Sequence, residues 1–181
     1  MITSQLYRRI QNALFSKRFI CCVIITLSSS HAFGMERHLS SPLVAVNITG
    51  EQFKYNVKEY LGIPYRRGGA SKKGMDCSSF VRIIYKRFFN IELPYSARAQ
   101  FNSSWLQKIN NTEMQSGDLV FFSNNKKKGI NHVGMYVSGW QFIHASSSSG
   151  IMFSSLDDPY WKKRFVGSKR HITLNSNAEF R

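Results

Sequence analysis

The chain has 181 residues and carries 25 Lys and Arg against 10 Asp and Glu, a formal net charge of +15 that favours anionic partners. Its basic residues are spread along the sequence, with Lys126-Lys127-Lys128 and Lys162-Lys163-Arg164 as the only runs. No zinc-ligand spacing and no RNA-binding aromatic motif is present, which argues against a nucleic-acid partner.

Residues 1–34 read as a secretory signal. Arg8, Arg9, Lys17 and Arg18 form its basic region, Phe19 to Leu27 its apolar run, and Ser28 to Gly34 its small-residue exit. Cleavage is expected after Gly34, with Ala32 the second choice. Cys21 and Cys22 lie near the start of the apolar run, whereas a lipidated cysteine would follow it, so lipidation is not expected. About nine apolar residues also fall short of the ~20 that span a bilayer. Removal leaves 147 residues with 21 basic and 10 acidic side chains, net +11, and the single thiol of Cys77. That length suits one compact domain without a disulfide, exported to the periplasm or secreted. Export further disfavours nucleic acid. Anionic lipid head groups and the bacterial cell wall remain as surfaces for peripheral contact, and Lys126 to Lys128 read as a solvated loop tip.

Residues 35–50 lack periodicity and read as a linker or N-terminal extension, 51–174 as the domain, and 175–181 as a tail. Glu51 to Leu61 reads as a helix with Phe53, Val57 and Tyr60/Leu61 on one side, stopped by Gly62 and Pro64. A Gly/Lys-rich loop from Arg67 to Gly74 follows. Phe80, Val81, Ile84, Tyr85 and Phe88 then recur at helical spacing opposite Arg82, Lys86 and Arg87, so a helix starts near Cys77 with Asp76 as its N-cap. Ser96 and Ala97 to Trp105 suggest a further short helix. From Gly117 onward the pattern turns to strands at Asp118 to Ser123, Ile130 to Val137, Gln141 to Ala145 and Gly150 to Ser154. Helices first and strands later point to an α+β domain with helices packed on an antiparallel sheet.

Asp76-Cys77-Ser78 places a cysteine between an acid and a hydroxyl in the first turn of a helix. There the free N–H groups and the helix dipole are expected to lower the thiol pKa from about 8.5 toward or below neutral. Alternation puts Val133, Met135 and Val137 on the core face and His132 on the opposite one, and His144 ends the next strand. A cysteine nucleophile needs a base and a group that orients the base; Cys77, His132 and His144 could serve in that order. The same residues could be weighed as a zinc site with Asp76, but Cys77 has no closely spaced partner ligand, so no metal is expected. The two histidines oppose one another across a hairpin only if paired residue numbers sum to 276. That requires a three-residue connection, Val137-Ser138-Gly139, pairing Tyr136 with Trp140, with Gly139 at positive φ and Tyr136 on the His132 face. A two-residue Ser138-Gly139 turn would instead pair His132 with Ala145 and send the two rings to opposite faces.

Tyr65-Arg66-Arg67-Gly68-Gly69, Asp76-Cys77-Ser78-Ser79-Phe80, Gly117-Asp118-Leu119-Val120-Phe121-Phe122, His132-Val133-Gly134-Met135-Tyr136 and His144-Ala145-Ser146 follow one another in an order that resembles the NlpC/P60 cysteine peptidases. The resemblance continues through Asp157-Asp158-Pro159-Tyr160-Trp161 and Arg164-Phe165-Val166-Gly167 to the small cell-wall endopeptidases of Gram-negative bacteria. It implies a papain-like NlpC/P60 fold and hydrolysis of amide bonds in peptidoglycan stem peptides or crosslinks, without a cofactor. It also implies Cys77 as nucleophile, His132 as base and His144 as orienting group. Tyr65 would assist the oxyanion or place substrate, and Asp76 and Ser78 would shape substrate binding. Ser79 stands where many members have glycine. Ser116 stands where proline often precedes Gly-Asp and is expected to affect only loop stiffness. A cysteine hydrolase or acyltransferase acting on a non-wall substrate, or a silent wall-binding module, is the alternative on the same fold.

Overall fold

A computed structural model of the protein describes residues 49–125 and 128–175. The expected signal, the linker up to Ile48, Lys126 and Lys127, and the tail beyond Asn175 lie outside the described residues. Helix α1 (Gly50–Val57) starts in a capping box: the Thr49 hydroxyl accepts from the Gln52 N–H, and the Gln52 side chain accepts from the Thr49 N–H. It tightens into a 3-10 turn at Lys58–Tyr60. Phe53, Val57 and Tyr60 are buried while Leu61 is 41% exposed, because the tighter turn ends at Tyr60 and the chain leaves the helix there. The expected Arg67–Gly74 loop contains a two-stranded ribbon, β1 (Ala70–Ser71) paired with β2 (Gly74–Met75).

Helix α2 (Cys77–Phe89) is capped by Asp76 and closed by Asn90 in the left-handed conformation at φ 53°. Phe80, Val81, Ile84 and Tyr85 are fully buried, each stabilising the packing by about 1.5–3 kcal/mol. Helix α3 (Ala97–Phe101) is capped by Ser96 and ends well before Trp105, whose ring stacks on His171.

Six strands follow: β3 (Leu106–Ile109), β4 (Leu119–Phe122), β5 (His132–Ser138), β6 (Gln141–Ser146), β7 (Gly150–Ser155) and, after helix α4 (Pro159–Arg164), β8 (Phe165–His171). A short α5 (Ile172–Asn175) ends the described chain. The strands form one antiparallel sheet in the order β3-β8-β4-β5-β6-β7. Strands β3 and β8 and helix α4 were not expected from the sequence. Strand β8 lies inside the sheet although it carries Lys169 and Arg170. Its Arg170 guanidinium donates to both oxygens of buried Asp118 at 2.7 and 2.8 Å, and the Lys169 ammonium donates to the Phe101 and Leu106 carbonyls. The Arg170 charge is thus paired, and the Lys169 ammonium hydrogen-bonded, within the protein.

Both faces of the sheet are covered, which is why all four residues of β4 are buried. Leu119, Phe121, Val133, Met135, Val137, Ile143 and Ala145 join one core with Phe53, Val57, Phe80 and Ile84 from α1 and α2. On the other face Val120, Phe122, Phe142 and Leu156 form a second cluster, packed by Tyr136, Trp161 and Phe165.

The β5–β6 hairpin departs from the expected register. Gly139 and Trp140 have φ of 54° and 63°, as the two central residues of a type I′ turn require, and Ser138 pairs with Gln141 across them. That closing pair sums to 279, an odd number that would send His132 and His144 to opposite faces. A bulge between Tyr136 and Ser138 absorbs one residue, and the sum becomes 278 at Tyr136–Phe142 and Met135–Ile143. The expected direct opposition of the histidines is therefore incorrect, whereas the shared face and the positive φ of Gly139 are found. The rings are diagonal neighbours, and Gly134 stands across from His144. Ser116, expected to affect loop stiffness alone, donates its hydroxyl to the carbonyl of the bulged Val137 at 2.6 Å.

Candidate active site

Asp76 anchors the first wall of the site. Its Oδ1 accepts from the Ser79 N–H at 2.7 Å and the Ser78 hydroxyl at 3.0 Å, and its Oδ2 accepts from the Gly68 N–H at 2.9 Å. One carboxylate thus caps α2 and ties the 66–69 turn to it. Partial burial pushes the Asp76 carboxyl up, but its bonds from Ser79, Ser78 and Gly68 outweigh this and hold it below the ordinary carboxylate range. Ser78 is buried, with its hydroxyl turned back onto Asp76. Gln100, fully buried, donates to the Ser78 and Pro94 carbonyls and fixes this turn from below. The tied loop delivers Tyr65, bridged to Met75, so close to the nucleophile that burial first, then negative charge on Cys77 or Asp76, raises its phenol pKa.

Cys77 is the first residue of α2 and His132 the first of β5. They approach because both sit at element ends: the thiol meets the N–H of Val133, the residue after His132. The expected lowering of the thiol pKa is overturned. Cys77 is only 7% exposed, and burial, helped by the charge of Asp76, pushes the thiol up; the N–H groups of Val133, Ser78 and Cys77 itself favour the thiolate without outweighing it. Helix position was legible in the sequence, but desolvation was not.

Nε2 of His132 lies 3.0 Å from Nδ1 of His144, and Nε2 of His144 lies 3.0 Å from Oγ of Ser154. Aromatic rings enclose this chain. Trp161 stacks on His132 at 5.4 Å and meets His144 edge-on at 4.7 Å, Phe142 stacks on His144 at 5.0 Å, and Phe122 lies 5.9 Å from His132. The box strengthens the hydrogen bonds by excluding water. It also pushes His132 down to about 4 and His144, by burial and then by any charge on His132, to about 3. Burial therefore favours a neutral thiol and neutral imidazoles in the resting site.

Gly134 leaves the space that His144 occupies: a Cβ there would fall 3.2 Å from the His144 Cβ and 2.7 Å from the Phe142 ring. Trp161 and Ser154 did not emerge as site residues from the sequence. For Trp161 a signal existed, since Asp158-Pro159 is an N-cap followed by proline at the first helical position, and Asp158 does cap α4. Ser154 carries no such signal, because its place beside His144 depends on the pairing of β7 with β6.

Residues 62–170 match the NlpC/P60 family. The chain is 44% identical over 112 residues to a probable endopeptidase NlpC homolog of Haemophilus influenzae, covering 62% of this chain and 57% of the relative. It is 40% identical over 115 residues to the murein DD-endopeptidase MepS/murein LD-carboxypeptidase of Escherichia coli K12, covering 64% and 59%. The chain thus spans less than two thirds of the length of these relatives. A crystal structure of an NlpC/P60 family protein from Bacillus cereus superimposes with a TM-score of 0.60 at 29% identity, over 68% of this chain and 40% of that one.

Proposed function

The chain belongs to the NlpC/P60 family, with its α+β papain-like fold, and on that premise we propose that it is an exported cysteine endopeptidase acting on amide bonds of peptidoglycan stem peptides or crosslinks. The observation that carries this reading is the 3.0 Å His132–His144 bond, boxed by aromatic rings and set beside a cysteine at a helix N-terminus. The murein endopeptidase name of the Escherichia coli relative supports the substrate class. Export rests on the signal pattern of residues 1–34, and the net charge of +11 behind it suits a wall polymer rich in carboxylates.

Because Nε2 of His132 is engaged by His144, its Nδ1 is the nitrogen left to serve Cys77. Thiol and imidazole rest neutral, so the proton passes from Sγ to Nδ1 as the sulfur attacks the carbonyl carbon. The oxyanion meets the N–H of Cys77 and the Tyr65 hydroxyl, each such donor worth on the order of 3 kcal/mol. His132 returns the proton to the leaving amine, then takes one from the water that hydrolyses the thioester. His144 keeps the His132 ring aligned through the cycle. Asp76 and Ser78 shape the substrate side by holding the Tyr65 loop against α2.

Digestion of purified sacculi by residues 35–181 and by the Cys77→Ala and His132→Ala variants tests the proposal. Soluble muropeptides from the unaltered protein alone are expected, and their masses identify the bond. Equal release by Cys77→Ala, or none from an unaltered protein whose thiol still alkylates, overturns it.

A further inference from the structure

We propose that Ser154 is a positioning residue for the histidine pair: its hydroxyl accepts the Nε2–H of His144 and holds that ring in the tautomer that lets His132 act as a base. The inference rests on the reading of Cys77, His132 and His144 as the reacting set.

Strand pairing places Ser154 where it can act. It stands opposite Phe142, while His144 stands opposite Met152, so Ser154 is the diagonal neighbour of His144 on the same face of the sheet. The imidazole spans that diagonal and ends 3.0 Å from Oγ. His144 is 1% exposed, so its ring nitrogens must find their partners inside the protein.

The direction of the hydrogen bonds then follows from one requirement. For His132 to take a proton at Nδ1, its own hydrogen must sit on Nε2 and be donated to Nδ1 of His144. His144 must in turn carry its hydrogen on Nε2, where Ser154 Oγ is the acceptor. The same direction persists once His132 is an imidazolium, since its Nε2–H still needs the lone pair on His144 Nδ1. In the opposite tautomer His144 donates from Nδ1 and His132 presents an N–H to the thiol, which cannot accept its proton. Without the serine hydroxyl the working tautomer leaves a buried N–H unpaired, whereas the idle one leaves only an unpaired lone pair. Buried unpaired N–H groups are the less tolerated of the two. Ser154 therefore tips the pair toward the working arrangement.

The test compares Ser154→Ala and Ser154→Thr in the exported chain labelled with 15N-histidine. Ser154→Ala is expected to lower kcat on sacculi about 5- to 100-fold with KM unchanged, matching an unpaired buried donor. Its His144 imidazole nitrogens are expected to move from the Nε2–H toward the Nδ1–H pattern in long-range 1H–15N spectra. Ser154→Thr keeps the hydroxyl and is expected to restore both. An unchanged His144 tautomer in Ser154→Ala overturns the proposal, whether activity is retained or is lost in both variants through a structural defect. The tautomer is read without substrate, so this failure is distinct from the loss of the peptidase reading, which Cys77→Ala and His132→Ala decide.

Discussion

Gly134→Ala isolates the space beneath His144. The added Cβ would come 2.7 Å from Cδ2 of Phe142, 2.9 Å from the Ile143 carbonyl oxygen and 3.2 Å from the His144 Cβ. Carbon atoms settle about 3.5–4.0 Å apart, so the Phe142 ring must retreat by about 0.8 Å or more. The Ile143 carbonyl has less freedom, since β6 is paired on both sides. The His132–His144 contact stands at 3.0 Å, and lengthening by about 0.6 Å ends it as a hydrogen bond. Gly134 is not among the residues at positive φ, so the effect is steric alone. Overpacking of this kind costs about 1–3 kcal/mol, and each kcal/mol lowers the melting temperature of a domain this size by about 4 °C. Thermal unfolding and muropeptide release should therefore fall together, with activity lost even well below the melting temperature. Gly139→Ala is the contrast, since its Cβ meets nothing within 4 Å and only the φ of +54° penalises it. It should lose about 1 kcal/mol and keep its activity. A Gly134→Ala protein with unaltered melting temperature and full hydrolysis would refute the reasoning.

Asp76→Ala removes the acceptor of three hydrogen bonds. It should cost about 1–2 kcal/mol in urea unfolding and raise KM as the Tyr65 loop loosens; unchanged stability counts against the anchoring role. His132 titrates near 4 in the folded protein, below the ~6.5 of an unfolded histidine, so the unfolded chain binds more protons in between. The stability that rests on neutral His132 should be complete above about pH 6.5 and fall toward pH 4 by up to ~3 kcal/mol, with His144, also lowered by burial, adding to the fall and a flatter profile in His132→Asn. A flat profile in the unaltered protein contradicts this. Burial raises the Cys77 thiol, so iodoacetamide should react slowly at about pH 6 and faster through pH 8 and above, and rapid pH-independent alkylation below neutrality would exclude a neutral resting thiol.

Local rules reached the parts of the site that local forces build. Asp76 and the apolar spacing of Phe80, Ile84 and Tyr85 placed α2, and alternation along Val133, Met135 and Val137 assigned the face of His132. What depends on the assembled sheet was hidden. Nothing local pairs Arg170 with Asp118, 52 residues away, and Ser154 is one serine among many until β7 pairs with β6. The Cys77 thiol shows the same divide: its helix position favours the thiolate, but the burial that reverses the shift comes from neighbours far along the chain.

The bulge at Val137 gives the β5–β6 hairpin something like a reading frame. With the bulge kept, insertion or deletion of a single residue between Ser138 and Gln141 would shift every side chain beyond it by one face and separate two histidines that both remain in the sequence. Two such changes, or one change together with loss of the bulge, would bring them back. Surface turns are ordinarily free to vary in length, but this one can change only in steps that preserve parity. The Ser116 hydroxyl, reaching Val137 from the approach to β4, ties that count to a second strand. Deleting Val137 would remove residue and bulge together and leave Tyr136 opposite Phe142, whereas one residue added to the turn with the bulge kept would dismantle the site while leaving each of its side chains in place along the chain.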